Sequence, residues 1–401
     1  MIRKPTYIDL FSGCGGLSLG LRNAGWEGLF AIESASDAFE TLNFNLIEKG
    51  HFRWPRWLPK SAHNITDLIL QYENNLTKLR GKVDMVVGSP PCQGFSIAGK
   101  RHQNDDRNGL IIDFVKVVSL IKPRIVLFEN VKGFSFPFDK HATNSISITD
   151  YLKASLQDLG YDLNTEIVDM SQFGIPQRRT RYILIGVRKS DRDSVKDFFD
   201  SLRANVKSFL IKKKLPVRPT LSDAISDLVK SNGTKKSPEG QTLVVGAYGS
   251  KPSKYQAYLR KGVRVKYPNS HRFSNNKQAT IDKYRYIIDN AAVNKRITSA
   301  ARLKYNIRKQ TIIPLSSDLP APTLTTQPAD YLHYCEPRYL TVREFARLQT
   351  FPDIFHFKGV YTIGKKTDAN STSRYAQVAN AIPPLFSEQL GLQLKQLLFR
   401  T

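Results

Sequence analysis

Residues 6–17 read TYIDLFSGCGGL, and this stretch decides the fold. Thr6 to Leu10 is a short apolar run that predicts a buried strand. A turn carrying Gly13, Gly15 and Gly16 follows, and Leu17 to Asn23 predicts a helix. Glycines directly after a first strand let the backbone approach a ligand closely while the chain turns into a helix. A second strand is expected over Gly28 to Ile32, ending at Glu33, twenty residues after Gly13. An acid at that place can hold a pair of ribose hydroxyls. The spacing is not G-x-G-x-x-G, which disfavours a dinucleotide and with it an NAD-dependent oxidoreductase. The unit reads as a nucleoside-binding strand, turn and helix.

Working outward, a helix is expected over Ala38 to Asn45 and a third strand over Val83 to Val87. An amphipathic helix, Ile111 to Ile121, and a fourth strand, Arg124 to Phe128, come next. A helix over Tyr151 to Leu159 precedes strands near Asp162 to Asp169 and Arg181 to Val187. Strands alternating with helices predict an α/β domain, a mixed, mostly parallel sheet covered on both faces. After about Lys189 the chain becomes rich in Lys, Arg, Ser, Asn and Tyr, with turn signals such as Ser231-Asn232-Gly233 and Tyr267-Pro268-Asn269. The strand at Leu243 to Val245 and the aromatics favour a folded basic module over a linker. A helix within Arg272 to Tyr286 is expected to support it. Regular signals return after Pro322. Thr341 is a candidate N-cap for a helix over Val342 to Gln349, and Pro383-Pro384 opens a helix over Leu385 to Leu398. The expected organisation is 1–189 for the first part of the α/β unit, 190–317 for an inserted module, and 318–401 for the return to the first unit.

Sixty Lys and Arg face thirty-five Asp and Glu in 401 residues, a formal charge of +25. That excess attracts polyanions, and nucleic acid is the leading partner. No apolar stretch is long enough to span a bilayer, and the first residues lack the apolar region of a signal peptide. The expectation is a cytoplasmic protein with no membrane partner. Three cysteines, Cys14, Cys92 and Cys335, do not read as a disulfide framework. No Cys/His spacing suits a metal, so none is expected.

Three further segments carry chemistry. Gly88-Ser89-Pro90-Pro91-Cys92-Gln93 follows the third strand, where ligand sites of open α/β sheets lie. A cysteine is commonly a small buried hydrophobe. Here two prolines fix the backbone and present a thiol at a strand end, which favours a nucleophile. Carbon 5 of cytosine needs activation, and a thiolate adding at carbon 6 would supply it. Glu129-Asn130-Val131 follows the fourth strand; its acid could bind ring nitrogen N3, although from the tripeptide alone a cap or solvated acid is the ordinary reading. In Gln177-Arg178-Arg179-Thr180-Arg181, Arg179 and Arg181 alternate onto one face of an extended segment. Such a pair suits a carbonyl or phosphates, and a solvated basic run is the plain alternative.

These segments, taken with LTVREFARLQTFPD (residues 340–353) and QVANAIPP (residues 377–384), resemble in kind and order the cytosine-C5 DNA methyltransferase family of bacterial restriction-modification systems. The resemblance covers nearly the whole chain outside the basic module. It implies a Rossmann-like S-adenosylmethionine-dependent domain with an inserted target-recognition domain, and S-adenosyl-L-methionine as methyl donor. It makes Cys92 similar to the family nucleophile and Glu129 to the acid that binds and protonates the base. Arg179 and Arg181 resemble the arginines that contact the base. Phe11, Gly13, Gly15, Glu33, Pro91, Leu110 and Asn380 fall on cofactor-pocket positions. Asn64 stands where the family often has an acid on the adenine. Residues 93–108 match a mobile loop closing on double-stranded DNA, with Gln93, Ser96, Lys100, Arg101 and Arg107 as contacts. The basic module matches the reader, with Arg260 and Arg264 as candidate DNA contacts, and residues 340–353 are expected to support the domain junction. The resemblance further implies a monomer and a restriction endonuclease acting on the same site. A tRNA cytosine-C5 methyltransferase is one alternative, and a silent DNA-binding regulator lacking chemistry is another.

Overall fold

The computed structural model describes residues 3–91, 108–135, 147–189, 195–362 and 371–399. A six-stranded sheet forms the centre. Its elements in chain order are β1 (Thr6–Leu10), α1 (Gly16–Asn23), β2 (Glu27–Ile32), α2 (Ser36–Leu42), α3 (Ile65–Thr77), β3 (Met85–Gly88), α4 (Asn108–Ile121), β4 (Ile125–Val131), α5 (Ile148–Asp158), β5 (Tyr161–Asp169) and β6 (Thr180–Arg188). The strand order is β2-β1-β3-β4-β6-β5. β2, β1, β3 and β4 run parallel, and β6 lies antiparallel to both β4 and β5. The expected mixed, mostly parallel sheet is present.

The buried runs of β1, β3 and β4 put alternate residues on opposite faces, as a pleated strand must. Tyr7, Met85, Val87, Ile125 and Leu127 join one apolar cluster, with α1, α6 (Phe198–Lys212), α11 (Val342–Leu348) and α13 (Pro384–Phe399). Ile8, Leu10, Val86, Val126 and Phe128 join the other, with α3, α4 and α5. Strand order reverses between β1 and β3, which have β2 on one side and β4 on the other. Ligand crevices of open α/β sheets open at such a point, beyond the carboxyl ends of the strands. The glycine turn after β1 and the double proline after β3 both stand there.

Sequence boundaries differ from the observed ones in two informative places. β4 runs through Glu129 to Val131, so the acid lies within the strand, paired across from Ile183. α6, within the region read as a basic module, instead packs against α13 in the main core. Its buried Phe198, Phe199, Leu202, Val206 and Leu210 recur at helical spacing, a signal masked by the intervening polar residues.

Beyond α6 come α7 (Leu221–Ile225), the hairpin β7 (Thr234–Ser237) and β8 (Gly240–Gly246), α8 (Lys254–Leu259), α9 (Gln278–Asn290) and α10 (Ser299–Lys304). Short strands β9 (Ile313–Pro314) and β10 (Tyr331–Leu332) pair in parallel. A small separate cluster of Tyr284, Ile287, Ile297, Ile312 and Leu332 holds α9 to this pair. α12 (Arg374–Asn380) then leads into α13. No helix among the described residues is long and apolar enough to cross a membrane.

Candidate active site

The first wall is the turn after β1. Ser12 N–H donates to the Ile32 carbonyl (2.9 Å), fixing the turn to the end of β2. Gly13 N–H and Ala35 N–H each donate to the Glu33 carboxylate at 2.8 Å. Burial raises the Glu33 pKa, and these backbone donors oppose the rise. Phe11 and Gly13 both have left-handed backbone, φ 61° and 54°. For a bulky residue that conformation is strained, and such strain gathers at binding sites. A side chain on Gly13 would meet nothing within 4 Å, so open space lies over the turn beside the acid. Gly15 is left-handed at the N-cap of α1, and a methyl there would strike Leu42 at 2.6 Å.

Leu110, at the start of α4, packs partly buried on the second apolar cluster. Asn64 caps α3: its side-chain oxygen accepts from Thr66 N–H at 2.9 Å. That bond accounts for the asparagine at this position without a ligand. Pro91 is exposed beyond β3.

The second wall is built from β3, β4 and β6. Glu129 is buried, and its Oε1 lies 3.0 Å from Arg181 Nε. In the antiparallel pair Val131 faces Arg181 and Glu129 faces Ile183, so acid and arginine share one face of the sheet. Burial pushes the Glu129 pKa up, while Arg181, Arg179 and the Ser89 hydroxyl pull it back. Asn130 Nδ2 donates to the Pro90 carbonyl (3.3 Å), tying the double proline to β4.

The two arginines divide. Arg181 meets Glu129, but Arg179 is buried and donates to the carbonyls of Ala379 (2.9 Å) and Asn380 (3.3 Å) at the end of α12. Gln177 Nε2 donates to Gln349 Oε1 (3.1 Å), and Gln349 Nε2 to the Val378 carbonyl (2.9 Å). Three segments far apart in sequence are thereby tied behind the site. On the other side Cys14 Sγ donates to the Gln377 carbonyl at 3.4 Å. Burial pushes the Cys14 thiol up to about 12, which keeps it from acting as a thiolate nucleophile. Cys92, Gln93, Ser96, Lys100, Arg101 and Arg107 lie outside the described residues.

In the insert, Arg264 is exposed. Arg260 is turned inward: its Nη1 lies 3.3 Å from Asp227 Oδ2 and donates to the Gly249 carbonyl at 3.0 Å, with the guanidinium 4.3 Å from the Tyr248 ring. This guanidinium, a candidate DNA contact by the resemblance, is engaged within the protein. The segment 340–353 bears two arginines, Arg343 and Arg347, in α11, and Arg338 stands just before it. Arg338 pairs with Glu344 and Glu336. Arg347 pairs with Asp353 (2.7 Å) and with Asp227. Arg343 donates to the carbonyls of Asn269 (3.2 Å) and Phe355 (2.6 Å). All three are buried. Asp227 and Asn269 lie between α7 and α9, so this segment ties that stretch of chain to α11.

A cavity of about 290 Å3 lies between the β7–β8 hairpin and residues 356–361 with Arg374, lined by Lys235, Glu239, Tyr267, Lys358, Tyr361 and Arg374 among others. Of its lining residues, Tyr267, Pro268 and Asn269 were read from sequence as a turn; Lys235, Glu239, Lys358, Tyr361 and Arg374 were not singled out.

Comparison with known proteins places the chain among its relatives. The chain is 29% identical over 395 residues to the type II methyltransferase M.DdeI of Desulfomicrobium norvegicum, covering 96% of this chain and 87% of that protein. It is 31% identical to the type II methyltransferase M.PspPI of Psychrobacter sp., covering 99% and 80%. A crystal structure of a DNA modification methyltransferase encoded within a prophage (E. coli) superposes with a TM-score of 0.67 at 24% identity, covering 98% of this chain and 99% of that one. That likeness shows the shared fold. The sequence pattern of the C-5 cytosine-specific DNA methylases matches residues 6–396, nearly the whole described molecule, and the chain belongs to that family.

Proposed function

We propose that this enzyme methylates one short motif in double-stranded DNA through a covalent adduct of Cys92 with a flipped cytosine, protecting DNA in a restriction-modification system. The observation that carries the reading is Glu129: a buried carboxyl, ion-paired to Arg181, at the carboxyl edge of the sheet beside the Pro90-Pro91 turn. Membership of the family implies S-adenosylmethionine as the donor. The first wall fits it. Open space over Gly13 stands beside the Glu33 carboxylate and the strained Phe11, where a nucleoside could lie with its ribose on the acid. When bound, that group supplies a methyl made electrophilic by the sulfonium.

The chain's own residues do the rest. The basic surface holds phosphates, and the target base leaves the helix because carbon 6 is closed off in the stack. Cys92 adds at carbon 6 while Glu129 holds and protonates N3, so that electron density rises at carbon 5. After methylation a base removes the carbon-5 proton and the Cys92 thiolate leaves. Arg181 orients Glu129. Arg179 braces the site from α12. The region from about 226 to 312, with its exposed Arg264, is proposed as the target reader, with α6 and α7 belonging to the catalytic unit. A monomer and a partner endonuclease complete the proposal.

The test is transfer of labelled methyl from S-adenosylmethionine to genomic DNA and to total RNA, with bisulfite sequencing of the DNA. Methylcytosine at one short motif is the expected result. Label in RNA alone would move the substrate to tRNA. Cys92→Ser should bind DNA and transfer nothing; normal turnover would remove Cys92 from the nucleophile's role.

A further inference from the structure

The parallel register sets Gly88 beside Phe128. One residue on, Ser89 comes beside Glu129, and strand alternation turns both side chains to the same face. The opposite face is closed: Phe114 packs on Phe128, and a methyl added to Gly88 would meet the Phe114 ring at 2.4 Å. The turn carrying Ser89 is held on two sides, by Ser89 N–H on the Leu10 carbonyl (3.3 Å) and by Asn130 on Pro90. Ser89 Oγ and Glu129 Oε1 are both shut off from solvent; the hydroxyl has no hydrogen-bond partner of regular geometry among the described residues, and Oε1 has the Arg181 Nε ion pair at 3.0 Å beside it. A buried hydroxyl without a partner and a buried carboxyl oxygen with a lone pair left for a second donor, on the same face of adjacent strands, can satisfy each other.

We infer that Ser89 is a positioning residue for Glu129, its hydroxyl donating to the carboxyl and fixing both its rotamer and its protonation. The inference rests on the reading of Glu129 as the acid that holds N3. The charged groups acting on that carboxyl among the described residues are Arg181 and Arg179. Both arginines, like the hydroxyl, favour the ionised form, which burial disfavours. Ser89 is the neutral member of this set, a donor that adds no charge to the pocket. Without it the carboxyl keeps its proton to higher pH and loses one of its two lateral restraints.

The test is single-turnover methyl transfer by Ser89→Ala and Ser89→Gly over a range of pH, with Glu129→Gln and wild type alongside. DNA affinity and thermal unfolding are measured on each. The inference expects the limb belonging to Glu129, identified as the limb absent from Glu129→Gln, to move to higher pH in both Ser89 variants. The transfer rate should fall about tenfold, with DNA affinity and melting temperature held. Ser89→Thr, which restores a hydroxyl, should return the limb toward wild type. A limb superposed on wild type in both Ser89 variants, with Glu129→Gln impaired, overturns the inference and leaves the reading of Glu129 standing. Wild-type transfer by Glu129→Gln overturns both.

Discussion

At the residue scale, buried carboxyls carry most of what can be tested. Arg181→Ala should lower methyl transfer by about 10²-fold or more, the cost of removing an electrostatic partner in a water-excluded site. It should also carry the Glu129 limb to higher pH, because the cation that favours ionisation is gone; pH-resolved single turnovers check this. Asp9 offers a pH test of stability. It is buried, accepts from Ser18 Oγ at 2.5 Å, and is pushed up to about 7 by burial. The folded chain thus keeps a proton on Asp9 that the unfolded chain releases near about pH 4. Stability contributed by this group is full below that range, falls as pH rises toward about 7, and is level above it. Asp9→Asn, which can still accept from Ser18, should flatten that decline, seen as a melting temperature that changes less between pH 5 and 8 than in wild type.

The residue scale also shows what a sequence can and cannot disclose. Glu129 was named only through the family resemblance, because the tripeptide Glu-Asn-Val alone reads as a cap or a solvated acid. Ser89 was passed over. Its role depends on the register of β3 against β4, a long-range property that no local spacing records. Arg179 and Arg181 were read as one pair on one face; the fold sends the first to α12 carbonyls, which lie 200 residues away in the chain.

At the scale of elements, α1 and α13 cross closely at glycines. A methyl on Gly20 would meet Ser387 Cβ at 2.3 Å and the Pro384 carbonyl at 2.5 Å, both on or beside rigid backbone. Gly20→Ala should therefore destabilise the chain by about 1–3 kcal/mol through overpacking, although alanine is the better helix former. Urea denaturation would measure the loss, and unchanged stability would mean the helices can part without cost. The strands and helices of the sheet were legible because period-2 and helical patterns dominate there. The junction was legible only in part. That the segment 340–353 supports it could be said, but that Arg347 reaches Asp227, 120 residues earlier, could not. Arg347→Ala leaves Asp227 and Asp353 buried without their shared cation. Losing one partner of such a set costs about 3–5 kcal/mol, and limited proteolysis should then release fragments cut between the insert and the sheet.

For the whole molecule, the charge of +25 predicts binding governed by counterion release. DNA affinity should fall by on the order of a thousandfold between about 50 and 200 mM salt if at least about six phosphates are neutralised. A fluorescence anisotropy titration at several salt concentrations measures the slope, and a flat dependence would show that the charge lies away from the DNA. Fold class could be read because strand-helix alternation and charge are global properties. The target motif could not, because base readout depends on where side chains meet a groove.

The crossing of α1 with α13, and the bond from Cys14 to Gln377, also fix an order of events in time. These partners stand 363 residues apart. A ribosome adding about 5–20 residues per second delivers the second roughly 20–70 s after the first. Through that interval the glycine turn is made but unbraced, and the apolar side of α1 faces solvent or a chaperone. A nascent chain can thus brace the turn after β1 only once residues near Gln377 and α13 have been made, so products truncated before them should be inert toward DNA rather than weakly active.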